Sequence, residues 1–305
     1  MKKNILRLCM ALLAAFALLA SGCGAPNAGG GSGASSAAST ASKDMTVQML
    51  NVGQGDSILI KTGEQTILID TSDVDERDKF KSELQKAGVK KIDKVILTHP
   101  HADHIGGMDV LLDGDYEIGT VYDNGMPSTS KLYLGYMKKL KAKNIEHKTL
   151  KDGDALDFGS GVKFEVLSPT ASVVKQGQAK GYKHDPNNES VVGRLVYGTF
   201  TMLFTGDAEK ETEAAILKAH PDGVKSLVLK APHHGSHTSS SPAYLKAVQP
   251  EVCLISCGQG NDYGHPHKET LAAYKKINAK VYETDKNGTI TITTDGKTYD
   301  VKGEH

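Results

Sequence analysis

An excess of basic charge is the first thing this 305-residue chain lacks: 36 Lys and Arg are matched by 36 Asp and Glu. Three of the bases, Lys2, Lys3 and Arg7, sit at the extreme N-terminus, which leaves 33 basic against 36 acidic residues beyond them. That balance excludes a global basic footprint for nucleic acid. Membrane-length apolar runs are missing too. The longest, Leu8 to Ala20, has 13 residues, short of the roughly 20 that a spanning helix needs. Cysteine is scarce, with four in all. Cys253 and Cys257 lie four apart in an apolar strand-like run, about 13 Å along an extended chain, beyond disulfide reach. They read as small core or near-site residues, neither a bridge nor a zinc pair. No internal repeat is visible, and no Gly-x-Ser-x-Gly elbow presents a serine nucleophile.

What is present divides the chain in three. Residues 1–23 read as a targeting segment, with a positive start followed by the short apolar core. Ala20-Ser21-Gly22-Cys23 resembles a bacterial lipobox, in which Cys23 becomes the lipidated N-terminus. Residues 24–43 are rich in Gly, Ala and Ser with one charge, Lys43; such a segment cannot bury a core and reads as a flexible tether. The rest, 44–305, is expected to be a single folded domain; the chain as a whole is 39% apolar and 24% charged, as is typical of globular chains. The pattern implies an extracytoplasmic lipoprotein held to a membrane through Cys23, at the cell surface or periplasmic face.

Chemistry concentrates in a few places. His99-Pro100-His101-Ala102-Asp103-His104 follows the strand-like run Lys91 to Leu97 and precedes Gly106-Gly107 and the apolar stretch Met108 to Leu112. Three imidazoles and a carboxylate at that density suit a borderline-soft divalent metal. Thr205-Gly206-Asp207-Ala208-Glu209 puts an aspartate at a strand end, ahead of a helix from Glu209 to Ala219. Pro232-His233-His234-Gly235-Ser236-His237 ends another apolar strand, Ser226 to Ala231. Tyr263-Gly264-His265-Pro266-His267 precedes a helix over 268–278, where His267 would cap. Upstream, Gly53-Gln54-Gly55-Asp56 and Ile69-Asp70-Thr71 punctuate an opening β-meander. Amphipathic periodicity marks helices over 73–88 and 131–143, the latter with a lysine face that is solvated or steers an anionic substrate. A polar loop is expected from 168 to 188, and Asn287-Gly288 signals a closing hairpin.

The run HPHADHIGG resembles the HxHxDH signature of the metallo-β-lactamase superfamily. TGDAE and PHHGS resemble further elements of the superfamily, while VGQGD, IDT, YGHPH and TDKNG resemble those of its competence-channel (ComEC-type) branch. The resemblance covers roughly residues 45–302. It implies an α/β fold, the four-layer αββα sandwich, with two divalent ions (Zn or Mn) shared by Asp207. His99 and His101 would serve one ion, Asp103, His104 and one of the His233–His234 pair the other, with His234 preferred. Asp56 and Asp70, each at a strand end, read either as turn-formers or as support for these ligands from behind. Asp103 would orient the attacking water, while His233 and His265 would contact substrate or leaving group. The superfamily's usual further histidine is absent: His147 lies in an exposed lysine-rich stretch, and His184 precedes Asn188-Glu189-Ser190, which resembles the branch's Asn-x-Ser element. Asn188 or a water would complete the first site, making it weaker and Mn²⁺-tolerant.

By the same resemblance the chain is a metal-dependent hydrolase. The leading expectation is a phosphodiesterase or nuclease acting on extracellular DNA. Alternatives are a cell-wall phosphoesterase of the teichoic-acid phosphocholine esterase kind, a β-lactam or lactone hydrolase, and a non-catalytic binding lipoprotein. The membrane channel of true uptake proteins has no counterpart in the sequence, so translocation is not expected of it.

Overall fold

Strands that alternate apolar residues between two faces need cover on both sides, and that requirement organises the fold. The computed structural model describes residues 45–179 and 181–305. The leader, Cys23 and the 24–43 tether lie outside the described residues. From the first half come β1 (Met45–Met49), β2 (Ile58–Lys61), β3 (Thr66–Ile69), β4 (Lys91–Ile96), β5 (Glu117–Asp123) and β6 (Glu146–Thr149). The second half gives β7 (Ala155–Asp157), β8 (Lys163–Ser168), β9 (Val192–Tyr197), β10 (Phe200–Phe204), β11 (Val228–Lys230), β12 (Val252–Ile255) and β13 (Lys280–Glu283). The chain then returns as β14 (Ile290–Thr294) and β15 (Tyr299–Gly303). Among the described residues these form an eight-stranded sheet, β15-β14-β1-β2-β3-β4-β5-β6, and a seven-stranded sheet, β13-β12-β11-β10-β9-β8-β7.

Ile58 and Ile60 of β2, with Ile67 and Ile69 of β3, meet Met202 and Phe204 of β10 and Leu254 of β12 in one core between the sheets. The intervening Leu59 and Leu68 face outward onto Phe80, Leu84, Leu111 and Leu140, from helices Arg77–Lys86, Met108–Asp113 and Lys131–Ala142. On the other sheet, Leu203, Cys253 and Ile255 pack against Ile216, Tyr244, Val248 and Tyr274 of helices Lys210–Ala219, Pro242–Val248 and Lys268–Lys276. Each large side chain so buried contributes about 1.5–3 kcal/mol. The result is the αββα sandwich. Cys253 and Cys257 are free and buried.

Three expectations are corrected. The loop after β8 contains a helix, Ala171–Gly177, whose N-cap Thr170 accepts from Val173 N at 3.3 Å. Asn287-Gly288 ends a short helix, Thr284–Asn287, rather than turning a hairpin, because β13 and β14 lie in different sheets. The closing hairpin is β14–β15, with Asp295 Oδ1 accepting from Lys297 N and Thr298 N in its turn. His147 is half-buried against Asp123, at 2.8 Å, rather than exposed. No helix among the described residues is long and apolar enough to cross a membrane.

One side of each sheet is parallel, β3 through β6 in the first and β10 through β13 in the second. Their carboxyl ends deliver Asp70, His99, Asp207, His233, His234 and Ser256 to one edge of the sandwich. Rigid strands therefore aim groups carried on short loops.

Candidate metal centre

The loop after β4 is held from behind before it can hold anything in front. Asp70 accepts from Thr98 N at 2.7 Å, from Thr98 Oγ1 at 2.8 Å and from His104 Nδ1 at 2.8 Å. That last bond engages Nδ1 and turns His104 Nε2 toward Asp207 Oδ2 at 3.3 Å and Asp103 Oδ2 at 3.7 Å. A short helix, Ala102–Ile105, carries Asp103 and His104, and Gly106 and Gly107 let it sit against the turn after β3. A Cβ on Gly107 would lie 2.0 Å from Thr71 O, and one on Gly106 2.3 Å from Val74 N. The glycines exist for that approach.

From the second sheet, His233 and His234 occupy consecutive left-handed conformations, both at φ 51°, inside the turn Pro232–Gly235. Such backbone costs about 1–3 kcal/mol per residue and is retained where the surroundings impose it. His234 Nδ1 donates to Ser256 O at 2.9 Å, so Nε2 faces Asp103 Oδ2 at 3.1 Å and Asp207 Oδ2 at 3.5 Å. Asp103, His104, Asp207 and His234 each offer one ligand atom, all within 4.8 Å of one another. Beside them His99 Nε2 lies 3.0 Å from His101 Nδ1, and the His99 and His104 rings are 4.1 Å apart.

Charge within the group is strongly coupled. Burial opposes ionisation of Asp207 and Asp103, yet His104 and His234 outweigh it and hold both carboxyls well below their usual range. Burial likewise opposes charge on the two imidazoles, but Asp207 leads the carboxylates that overcome it. His104 is raised well above its ordinary value and His234 to about 10. His99 and His101 go the other way, pushed down by burial and by His104. The protons drawn onto His104 and His234 are those that a divalent cation would displace. Two buried atoms, His104 Nε2 and Asp207 Oδ1, have no hydrogen-bond partner. An imidazole nitrogen and a carboxylate oxygen left bare in a buried pocket are a donor set that fits a divalent ion.

Asp56 sits behind this group: it pairs with the buried Lys230, and its Oδ1 lies 3.5 Å from His234 Nδ1. Lys230 Nζ also donates to Gly206 O at 3.0 Å and reaches Asp207 Oδ1 at 3.9 Å. Sequence reasoning missed it, although a lone lysine in an apolar strand carries a signal, since a fully buried amine needs partners. Ser190 was missed as well; its Oγ accepts from Asp207 N at 3.2 Å and lies 3.3 Å from His99 Nδ1.

Asn188 does not join the group, which corrects its expected role. Its Oδ1 accepts from Glu209 N at 3.2 Å and Thr212 Oγ1 at 2.9 Å, bracing the helix after Asp207. Its neighbour Asn187 is the amide that lines the groove over the centre, with Oδ1 buried and unpartnered. His184 turns away to Glu189 at 3.1 Å. His237 packs on His267 outside the groove, and His267 accepts from His237 N at 3.1 Å without capping its helix through the side chain.

That groove encloses about 550 Å³. Its lining runs from Gln54, Asp73, Asp75 and Glu76 past Asp103, Asp207 and His234 to His233, Tyr263 and His265. His233 Nδ1 is engaged by Glu209 and Thr238, at 3.1 and 3.2 Å, leaving Nε2 3.8 Å from Asp207 Oδ2. His265 is pushed down to about 4 by burial and by His234 and His233. The lysine face of helix Lys131–Ala142 contributes nothing to the lining; Lys139 is bound to Asp109 and Asp113, at 2.6 and 2.5 Å.

Comparison with known proteins agrees with this geometry. Residues 50–259 match the metallo-β-lactamase superfamily. ComE operon protein 3 of Bacillus subtilis (strain 168) is 31% identical over 270 residues, covering 82% of this chain and 33% of that protein. Competence protein ComA of Neisseria gonorrhoeae is 31% identical over 248 residues, covering 81% and 32%. The chain thus spans about a third of the length of these curated relatives. Among solved structures, the metallo-β-lactamase-fold protein YhfI from Bacillus subtilis superposes with a TM-score of 0.54 at 15% identity, covering 82% of this chain and all of that one. A diphosphatase of the PhnP family does so with 0.50 at 16%, covering 82% and 98%. At those identities the likeness is one of fold. Sandwich, histidine-aspartate cluster and matched sequence coincide on the same residues, and the chain belongs to the metallo-β-lactamase superfamily of hydrolases.

Proposed function

We propose that this hydrolase is a metal-dependent phosphodiesterase, a nuclease that acts on DNA outside the cytoplasmic membrane, to which Cys23 would anchor it. The convergence of Asp103, His104, Asp207 and His234 within 4.8 Å, with His104 Nε2 and Asp207 Oδ1 bare, carries the reading. The names of the relatives, competence proteins, favour DNA over other diesters. Asp103, His104, Asp207 and His234 would hold one ion, and His99, His101 and Asp207 a second, with Asn187 in the lining of the same groove. Bound there, the ions would lower the pKa of water toward neutrality and stabilise negative charge developing on the phosphoryl oxygens.

The chain's own groups do the remaining work. Asp70 and Ser256 fix the tautomers of His104 and His234, so that each presents Nε2 forward. Asp103, at the groove wall, orients the attacking water. His265, neutral at working pH, offers a single N–H to a phosphoryl oxygen or leaving group, and His233, steadied by Glu209, presents Nε2 beside Asp207. Asp73, Asp75 and Glu76 at the rim favour a second reading, a phosphodiester with a cationic headgroup such as the phosphocholine of a cell-wall polymer. Incubation of the purified protein with plasmid DNA and with nitrocefin, each with Mn²⁺ or Zn²⁺, tests the proposal. Metal-dependent nicking without nitrocefin turnover supports it. Nitrocefin turnover alone makes the protein a β-lactamase, and metal binding with no turnover of either, nor of bis(p-nitrophenyl) phosphate or p-nitrophenyl phosphocholine, points to a binding protein.

A further inference from the structure

Among the described residues only two large apolar side chains stand exposed, Leu134 and Tyr263, and Tyr263, at 67%, lines the groove over the metal centre. It is not a stray surface residue. The Tyr263 ring lies over His265 at 5.6 Å with planes 18° apart, a stacked pair, and His265 in turn stacks on His234 at 6.1 Å and 24°. A ladder of near-parallel rings therefore runs from a centre ligand out to the groove mouth and ends in a bare aromatic face.

The loop that presents this face is braced. Asn261 Nδ2 donates to Gly258 O at 2.9 Å and to His265 O at 2.7 Å, while Asn261 Oδ1 accepts from His265 N at 3.0 Å. Gly258 N donates to Gln54 Oε1 at 3.1 Å, tying the loop to the other side of the groove. A rigid exposed aromatic face beside a reacting centre binds planar groups at little ordering cost.

Building on the phosphodiesterase reading, we propose that Tyr263 is the platform on which a nucleobase adjoining the scissile phosphate stacks, and so is the residue that selects nucleotide diesters over other diesters. A base has a flat π-face that continues the ladder, and such stacking tolerates any base. A quaternary ammonium would prefer several aromatic faces around it and free acid opposite. Here there is one such face, and of the three rim acids Glu76 is paired with Lys79 at 3.1 Å and Asp73 Oδ1 is occupied by Asp75 N at 3.1 Å, which leaves the exposed Asp75.

Three chromogenic diesters that release the same p-nitrophenolate test this on the intact metal-loaded protein: thymidine 5′-(p-nitrophenyl phosphate), methyl p-nitrophenyl phosphate and p-nitrophenyl phosphocholine. The wild type is expected to prefer the thymidine ester over the methyl ester by about tenfold in kcat/KM, expressed in KM. Tyr263→Ala should bring that ratio near one, and Tyr263→Trp should preserve it. A ratio unchanged in Tyr263→Ala overturns the proposal while leaving the phosphodiesterase reading intact, as does a Tyr263 effect confined to the phosphocholine ester. Turnover of none of the three by the wild type, with Mn²⁺ or Zn²⁺ bound, overturns both.

Discussion

Lys230 sits fully buried where its ammonium meets Asp56, Gly206 O and the edge of Asp207. Removing one partner of a buried pair leaves the other charge uncompensated, at a cost of about 3–5 kcal/mol. Lys230→Met should lower stability by that amount in urea denaturation, and adding Asp56→Asn should recover part of it. A loss below about 1 kcal/mol would show that the pair has no such role. His147 provides a pH-dependent counterpart. Its bond to Asp123 raises its pKa above the ordinary 6.5. A folded-state pKa above the unfolded one means that the stabilisation is complete below pH 6.5 and disappears as pH rises through the folded value. His147→Gln should therefore cost about 1 kcal/mol at pH 5.5 and little at pH 9. An equal loss of Tm at both pH values would refute the ion pair.

At the scale of elements, one loop reaches the site through left-handed backbone at His233 and His234, the other through a close backbone approach at Gly106 and Gly107. Gly107→Ala forces a Cβ onto Thr71 O and Phe80, and should destabilise by about 2–3 kcal/mol while weakening Mn²⁺ binding, because the helix carrying Asp103 and His104 must shift. Wild-type stability and affinity in that variant would mean that the close approach is dispensable. Asn187 and Asn188 can be told apart in the same way. Asn188→Ala should cost about 1 kcal/mol, through loss of its brace on helix Lys210–Ala219, with metal stoichiometry kept. Asn187→Ala should lower affinity for one ion with little change in stability, and the reverse pattern would restore the original assignment of Asn188. The sequence spoke clearly where apolar residues alternate or recur at helical spacing, as in β2, β3 and helix Lys131–Ala142. It was silent at β6 and β7, whose residues are mostly exposed. It misled at Asn287-Gly288, because a turn signal cannot say which sheet the next strand will join.

For the molecule as a whole, the metal-binding half-sites were legible because histidine and aspartate cluster locally in HPHADH, TGD and PHHG. What joins them was not: Asp70 and Thr98, Asp56 and Lys230, and Ser256 behind His234 meet only after strands distant in sequence are laid side by side. Which amide lines the groove also depended on a one-residue difference between Asn187 and Asn188, which spacing does not encode. The account stands on Asp207, the one carboxylate among the described residues that faces His104, His233 and His234 together. Its most direct test is the Mn²⁺-dependent rate of bis(p-nitrophenyl) phosphate hydrolysis by wild type and Asp207→Ala. Turnover by the wild type that falls by about a thousandfold or more in the variant, with the fold retained by circular dichroism, is the expected result. A folded Asp207→Ala protein that hydrolyses the diester at the wild-type rate would contradict it.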